Sequence, residues 1–215
     1  MMRCRFCDQD SRCHRNAAVY LDGIPGRRLT WQNVKMPHEQ TNPLRVFEKH
    51  PVTLSIDALL LQCDIRRTRH SGPGGQHRNK VETAIEITHR PTGIISFAAE
   101  RRSQEQNRQV AIARLRLLLA VRVRSVGTAE VVPSALWQSR CRNQKIACSE
   151  HHDDFPGMLA ESLDAIDAKD FDVKKAAAAL GCSTSQLVRF IASVPEALAI
   201  VNTQRSARSL HKLLP

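Results

Sequence analysis

The chain has 215 residues, 42% hydrophobic and only 4% aromatic, with a formal charge of +11 and a pI near 9.8. That length suits one or two domains with aliphatic cores, and so large a positive excess points to a polyanionic partner. No apolar run approaches membrane-spanning length, no signal-peptide pattern opens the chain, and seven unevenly spaced cysteines suggest cytoplasmic reduced thiols, not a disulfide framework.

Residues 1–35 lack sustained periodicity, and residues 1–50 are expected to form a disordered basic arm, with Met36 as an alternative first residue. Cys4, Cys7, Cys13 and His14 sit in a C-x2-C-x5-C-H pattern, but the adjacent second pair is awkward for a closed zinc site. No metal and no cofactor is therefore expected.

From Pro51 the pattern becomes regular. "TLSIDALLLQ" predicts a short helix and "CDIRRTR" a strand. "AIEIT" and "IISFAA" alternate as two further strands. Between them "HRPTG" predicts a bulged hairpin, with Pro91 at the first turn position and Gly93 left-handed. Ser103 and Gln106 form a capping box for a helix running to about Val123. Val110, Ala113, Leu117 and Leu118 mark its apolar face, while Arg108, Arg114, Arg116, Arg122 and Arg124 decorate the remainder.

The expected fold class is α+β: a compact strand, loop and short helix, β-hairpin and long-helix domain over 51–126, then a small helical module. Residues 127–155 read as a linker. Within it His151, His152, Asp153 and Asp154 are metal-capable but consecutive, and are expected to be solvated. Over 156–215 short helices follow, with Gly181, Ser183 and Gln186 punctuating a helix-turn-helix. Gln186 and Arg189 are the only obvious base readers there.

Charge is distributed unevenly along these segments. Residues 1–60 carry +3, residues 61–150 carry +9 from 16 Lys/Arg against 7 Asp/Glu, and residues 151–215 carry −1. The net acidity of the last segment favours a helical packing module over a DNA reader.

One stretch of the basic third stands out: "RHSGPGGQHRNK", residues 69–80. Gly74 and Gly75 permit left-handed backbone and close approach to a ligand. The phosphate-loop, G-x-S-x-G and H-E-x-x-H patterns are all absent, and the loop holds neither carboxylate nor cysteine. Chemistry carried by Gln76 is therefore electrostatic positioning, not covalent attack.

The ordered set Ser71-Gly72, Gly74-Gly75-Gln76, Asn79-Lys80, "THRPTGI" and "RSQEQNR" resembles the peptidyl-tRNA hydrolysis domain of class I peptide chain release factors over about residues 62–118. The resemblance implies a ribosome-dependent esterase whose catalytic residues are Gly74, Gly75 and Gln76. Its partners would be large-subunit rRNA and peptidyl-tRNA, and Gln76 is a candidate for methylation by a methyltransferase. Arg66, Arg67, Arg69, Arg78, Lys80, Arg101 and Arg102 would meet rRNA or tRNA phosphates. Pro73 and Arg78 depart from the residues frequent in decoding factors. About 60 residues precede the domain, and none reads as a stop-codon loop, so codon-independent rescue of stalled ribosomes is expected. The end "NTQRSARSLHKLLP" is less basic than the tails of short rescue factors. Two rivals stand beside this expectation: a non-catalytic nucleic-acid-binding protein using the helix-turn-helix segment, and release confined to isolated large subunits.

Overall fold

The computed structural model describes residues 18–19, 29–30, 43–46, 49–68, 83–126 and 130–214. In chain order the strands are β1 (Ala18–Val19), β2 (Leu29–Thr30), β3 (Leu44–Val46), β4 (Cys63–Thr68), β5 (Ala84–His89), β6 (Ile94–Ala98), β7 (Val123–Ser125), β8 (Cys141–Arg142) and β9 (Lys145–Ile146). The helices are α1 (Ile56–Leu60), α2 (Gln104–Arg122), α3 (Ala135–Arg140), α4 (Phe155–Ala168), α5 (Val173–Ala179), α6 (Thr184–Ala192) and α7 (Pro195–Ala207), with a 3-10 turn at Pro51–Thr53. The expected α+β architecture is present, strands and helices giving way to a helical C-terminal segment.

The central element is an antiparallel sheet in the order β4-β5-β6, in which Ile85, Ile87, Ile94 and Ala98 are buried on the face that α2 covers. Alternation of β-branched and polar residues supplies that single apolar face. Each expected strand falls within one or two residues of its sequence span. The hairpin differs in detail. The pairing runs unbroken to His89↔Ile94, so Arg90 to Gly93 form a four-residue loop without a bulge, and Arg90, not Pro91, takes its first position. Gly93 is left-handed as expected, at φ +68°, and its N–H bonds the His89 carbonyl at 2.8 Å.

Helix α2 starts where the capping signal places it, the Ser103 hydroxyl accepting from the Gln106 N–H. Its environment is not the expected one. Every residue from Val110 to Val121 except Ala113 and Arg116 is buried. The helix is sandwiched between the sheet and α4, so it needs apolar contact on two sides. The arginines read as surface decoration divide accordingly. Arg114 and Arg124 are buried, at 6% and 3% exposure.

The domain boundaries also shift. Far from being a linker, residues 130–155 form α3, the β8–β9 hairpin and the approach to α4. Ser134 caps α3 through the Trp137 N–H, and Trp137 is wholly buried, its indole N–H donating to the Leu180 carbonyl at 2.7 Å. Trp137, Phe155 and Phe190 stack edge-on and tilted at 6.3 and 5.1 Å, joining α3, α4 and α6. One continuous core therefore runs from Val52 to Val201. Part of the expected N-terminal arm belongs to the fold too: β3 pairs in parallel with β7, and His50 is buried beside it.

In the helical segment α5 ends in paired reverse bonds, Cys182 N–H to Ala177 O and Gly181 N–H to Ala178 O, with Gly181 at φ +67°. This is a Schellman turn, which needs a residue free of the left-handed penalty. Ser183 then caps α6 through the Gln186 N–H, so the helix–turn–helix punctuation is realised. Leu187, Val188, Phe190 and Ile191 of α6 face the core, while Arg189 is exposed.

Candidate functional site

The Gly74, Gly75 and Gln76 segment lies in 69–82, outside the described residues, together with Arg69, Arg78 and Lys80. The site is therefore defined by its frame. Thr68 pairs with Ala84 at the last rung of the β4–β5 ladder, so both ends of the loop leave one point of the sheet.

Asn107 fixes the returning end. It is fully buried in the first turns of α2, and its amide group donates to the carbonyls of Thr83 at 2.7 Å and Arg101 at 2.9 Å. Its Oδ1 accepts from the Arg101 N–H at 2.9 Å. Two turns on, Arg114 donates to the Phe97 carbonyl at 2.6 Å and pairs with Glu100 at 2.7 Å. Together these side chains lock the strand exits around the loop to the helix. Neither was a site candidate from the sequence, although the seven-residue spacing of two polar residues on a core-facing stripe is a visible signal.

The opposite end of the hairpin is locked as firmly. Arg90 donates to the carbonyls of Leu61 and Cys63 and to Asp64. His89 is buried between Thr92 Oγ1 at 2.7 Å and Gln62 Oε1 at 3.1 Å. Burial, seconded by Arg90, lowers its pKa.

Four of the expected phosphate-binding cations are described. Arg66 and Arg67 are exposed on β4 and, as neighbours on a strand, project to opposite faces. Arg102 is exposed and Arg101 half-buried just before α2. Arg67, Ile85 and Ala98 form one cross-strand row, so all four cations gather at the end of the sheet from which the loop departs.

Other chemistry-bearing groups are engaged elsewhere. A cleft of about 790 Å³ between the 3-10 turn, α3 and α4 is lined by Asp154, Glu161 and Asp164. Asp154 is held by Arg140, Glu161 accepts from Ser134, and Asp164 is held by Arg124. Of the metal-capable quartet, Asp154 is thus an ion-pair partner of the protein itself. Cys63, Cys141, Cys148 and Cys182 are free, and burial raises the pKa of each, Cys182 to about 11, so none is an activated thiolate. The Cys4, Cys7, Cys13 and His14 pattern lies outside the described residues.

Residues 52–150 match the family model of the RF-1 domain, the GGQ domain of class I release factors. The match reaches past the expected boundary at residue 126 to include α3 and the β8–β9 hairpin.

Among curated proteins, the chain is 35% identical over 151 residues to peptide chain release factor 1 of Frankia casuarinae, covering 61% of this chain and 42% of that one. It is 42% identical to peptide chain release factor 1 of Symbiobacterium thermophilum, over 39% of this chain and 23% of the relative. The same identity holds for peptide chain release factor 1 of Acidiphilium cryptum, over 43% and 26%. The chain thus spans less than half the length of each of these relatives.

Among the described residues no single helix is long and apolar enough to cross a membrane.

Proposed function

We propose that this protein hydrolyses the ester of peptidyl-tRNA on the ribosome, independently of a codon, and rescues stalled ribosomes in the cytoplasm. The observation that carries the proposal is the sequence Gly74-Gly75-Gln76 inside a matched RF-1 domain. Further support comes from a sheet that joins both loop ends at one rung and gathers four cations there. For codon independence the support is that the residues following the domain read as a helical module, not as a stop-codon loop.

In the proposed reaction a water oxygen bonds to the ester carbonyl carbon, and the bond from that carbon to the ribose oxygen breaks. The leaving oxygen takes a proton. The Gln76 backbone N–H stabilises the negative charge developing on oxygen, and a preorganised donor there contributes most in a site that excludes water. The Gln76 side chain admits water and excludes larger nucleophiles. Gly74 and Gly75 give the backbone the shape that aims the N–H. Arg66, Arg67, Arg69, Arg78, Lys80, Arg101 and Arg102 neutralise rRNA and tRNA phosphates, so affinity falls steeply with salt.

The test is peptide release from ribosomes stalled with no codon in the decoding site. Gln76→Pro removes the N–H itself and is expected to slow release by about 10²–10³-fold. Gln76→Ala and Gly75→Ala slow it as well. Release by all three at the wild-type rate would end the proposal, leaving the non-catalytic nucleic-acid-binding alternative. Release from isolated large subunits but not from intact ribosomes would restrict the substrate.

A further inference from the structure

The net charge of −1 over residues 151–215 conceals a separation. Seven of its eight acidic residues lie between Asp153 and Asp172. Most of these are used internally. Asp154 pairs with Arg140, Asp164 with Arg124 and Asp167 with Arg45, Glu161 holds Ser134, and Asp172 caps α5. The eighth, Glu196, pairs with Arg122. Residues 173–195 contain no acid at all, and neither do residues 141–149.

These two acid-free segments meet in space. The β8–β9 hairpin abuts the turn between α5 and α6: Gln144 bridges to Cys182, and the Ser183 N–H donates to the Gln144 carbonyl at 3.1 Å. Strand β9 packs on α6. Arg142, Asn143, Gln144 and Lys145 of the hairpin are exposed, as are Ser185 and Arg189, one turn apart on α6. Among the described residues, Arg142, Lys145 and Arg189 form no ion pair.

The hairpin itself is built against its own stability. Arg142 and Lys145 are direct cross-strand partners, and like charges so placed repel. Its two-residue turn holds Asn143 at φ 50° and Gln144 at φ 61°, where the second position is ordinarily given to glycine. A repelling, exposed pair on a strained turn, with no ion-pair partner among the described residues, is the arrangement expected when the counter-charge comes from outside.

We propose that the β8–β9 hairpin and the exposed face of α6 form a second RNA-docking surface, in which Arg142, Lys145 and Arg189 bind backbone phosphates of a structured RNA. RNA is chosen over other polyanions on the strength of the release proposal above. The phosphate chemistry stands without it. The surface joins the β8–β9 hairpin to the first turns of the helical segment, so it tethers the protein while the Gln76 loop is engaged elsewhere. Contacts limited to phosphates position the protein and do not read sequence.

The experiment measures binding of the full-length protein to a short RNA duplex of arbitrary sequence and to the matching DNA duplex across a salt series. The triple variant Arg142→Ser/Lys145→Ser/Arg189→Ser is expected to bind RNA roughly tenfold more weakly, with the slope of log affinity against log salt shallower by about 2–3. Arg142→Lys/Arg189→Lys should bind like wild type. Lys145→Glu is the sharpest variant. It turns a repelling pair into an attracting one, so the melting temperature rises while RNA affinity falls. Unchanged RNA affinity and slope in the triple variant and in Lys145→Glu would overturn the proposal. Loss confined to DNA would overturn the choice of RNA. Gln76→Pro serves as the separating control. If it releases peptide normally, the release proposal fails, whereas the duplex measurements still decide this one.

Discussion

The two ends of α2 use the same residue type in opposite ways. Near its start, Arg102 and, on the neighbouring end of β4, Arg66 and Arg67 stand exposed, while the neutral Asn107 clamps the backbone of Thr83 and Arg101. At its finish, Arg124 is buried. It donates to the Ala120 and Val121 carbonyls that end the helix, and pairs with Asp164 at 3.0 Å. A cation at a helix C-terminus meets both unpaired carbonyls and the negative end of the dipole. The contrast shows that net charge alone does not locate a polyanion site. What matters is which cations the fold leaves without an internal anion.

The largest stability effect is expected at the buried end. Arg124→Ala strands Asp164, whose carboxyl burial already raises in pKa, and should cost about 3–5 kcal/mol in urea unfolding. A loss below 1 kcal/mol would show that this end is no more constrained than the exposed one. The double variant Arg124→Met/Asp164→Leu should recover much of the loss, because a buried pair is often replaceable by apolar residues.

Acid sharpens the same contrast through His50. Its Nδ1 accepts from the Val52 N–H and its Nε2–H donates to the Val123 carbonyl, which specifies the neutral ring. Burial, seconded by the charge of Arg124 and opposed by the Val123 bond, lowers its pKa to about 4. The unfolded chain, with an ordinary histidine near 6.5, therefore binds the proton first. The stabilisation is complete above pH 6.5 and is lost as pH falls toward 4, by about 3 kcal/mol. Urea titrations at pH 7 and near pH 4 should show a clearly shallower acid loss in His50→Leu. Identical pH slopes in the two proteins would remove His50 from the account.

At the exposed end the effect is smaller and more informative. Asn107→Ala leaves the Arg101 N–H and two carbonyls without their partner, costing about 1–3 kcal/mol. Release should slow while affinity for RNA stays constant, because only the loop's anchor is disturbed. Equal falls in stability and release, with no change in the maximal rate at saturation, would reduce Asn107 to a packing residue.

Much of this was readable from residues in order. The β4-β5-β6 sheet follows from alternation, and the left-handed Gly93 from its turn context. The Ser103 cap and the Ser183 cap after Gly181 likewise obey local rules. What resisted was long-range pairing. Nothing near Arg124 in sequence announces Asp164, 40 residues on, and periodicity assigns a face without naming what covers it. The supposed linker failed for a related reason. Ser134 caps α3, but the partner that gives Trp137 its place is the Leu180 carbonyl, supplied from another helix. For the site, the Gly74-Gly75-Gln76 tripeptide proposed as catalytic was visible as a motif, whereas the frame beside it depended on Asn107 and Arg114, ordinary polar residues in a helix.

The parallel pairing of Leu44 with Val123 has a consequence for biosynthesis. Its two halves are 79 positions apart, so β3 must wait, unsatisfied, until β7 has emerged from the ribosome that is making the chain. Contacts of such high sequence separation form late and leave strand edges open meanwhile. A chain cut short just before Val123 would hold the sheet and most of α2 but have no partner for β3, a half-finished shape exposed to proteases and chaperones.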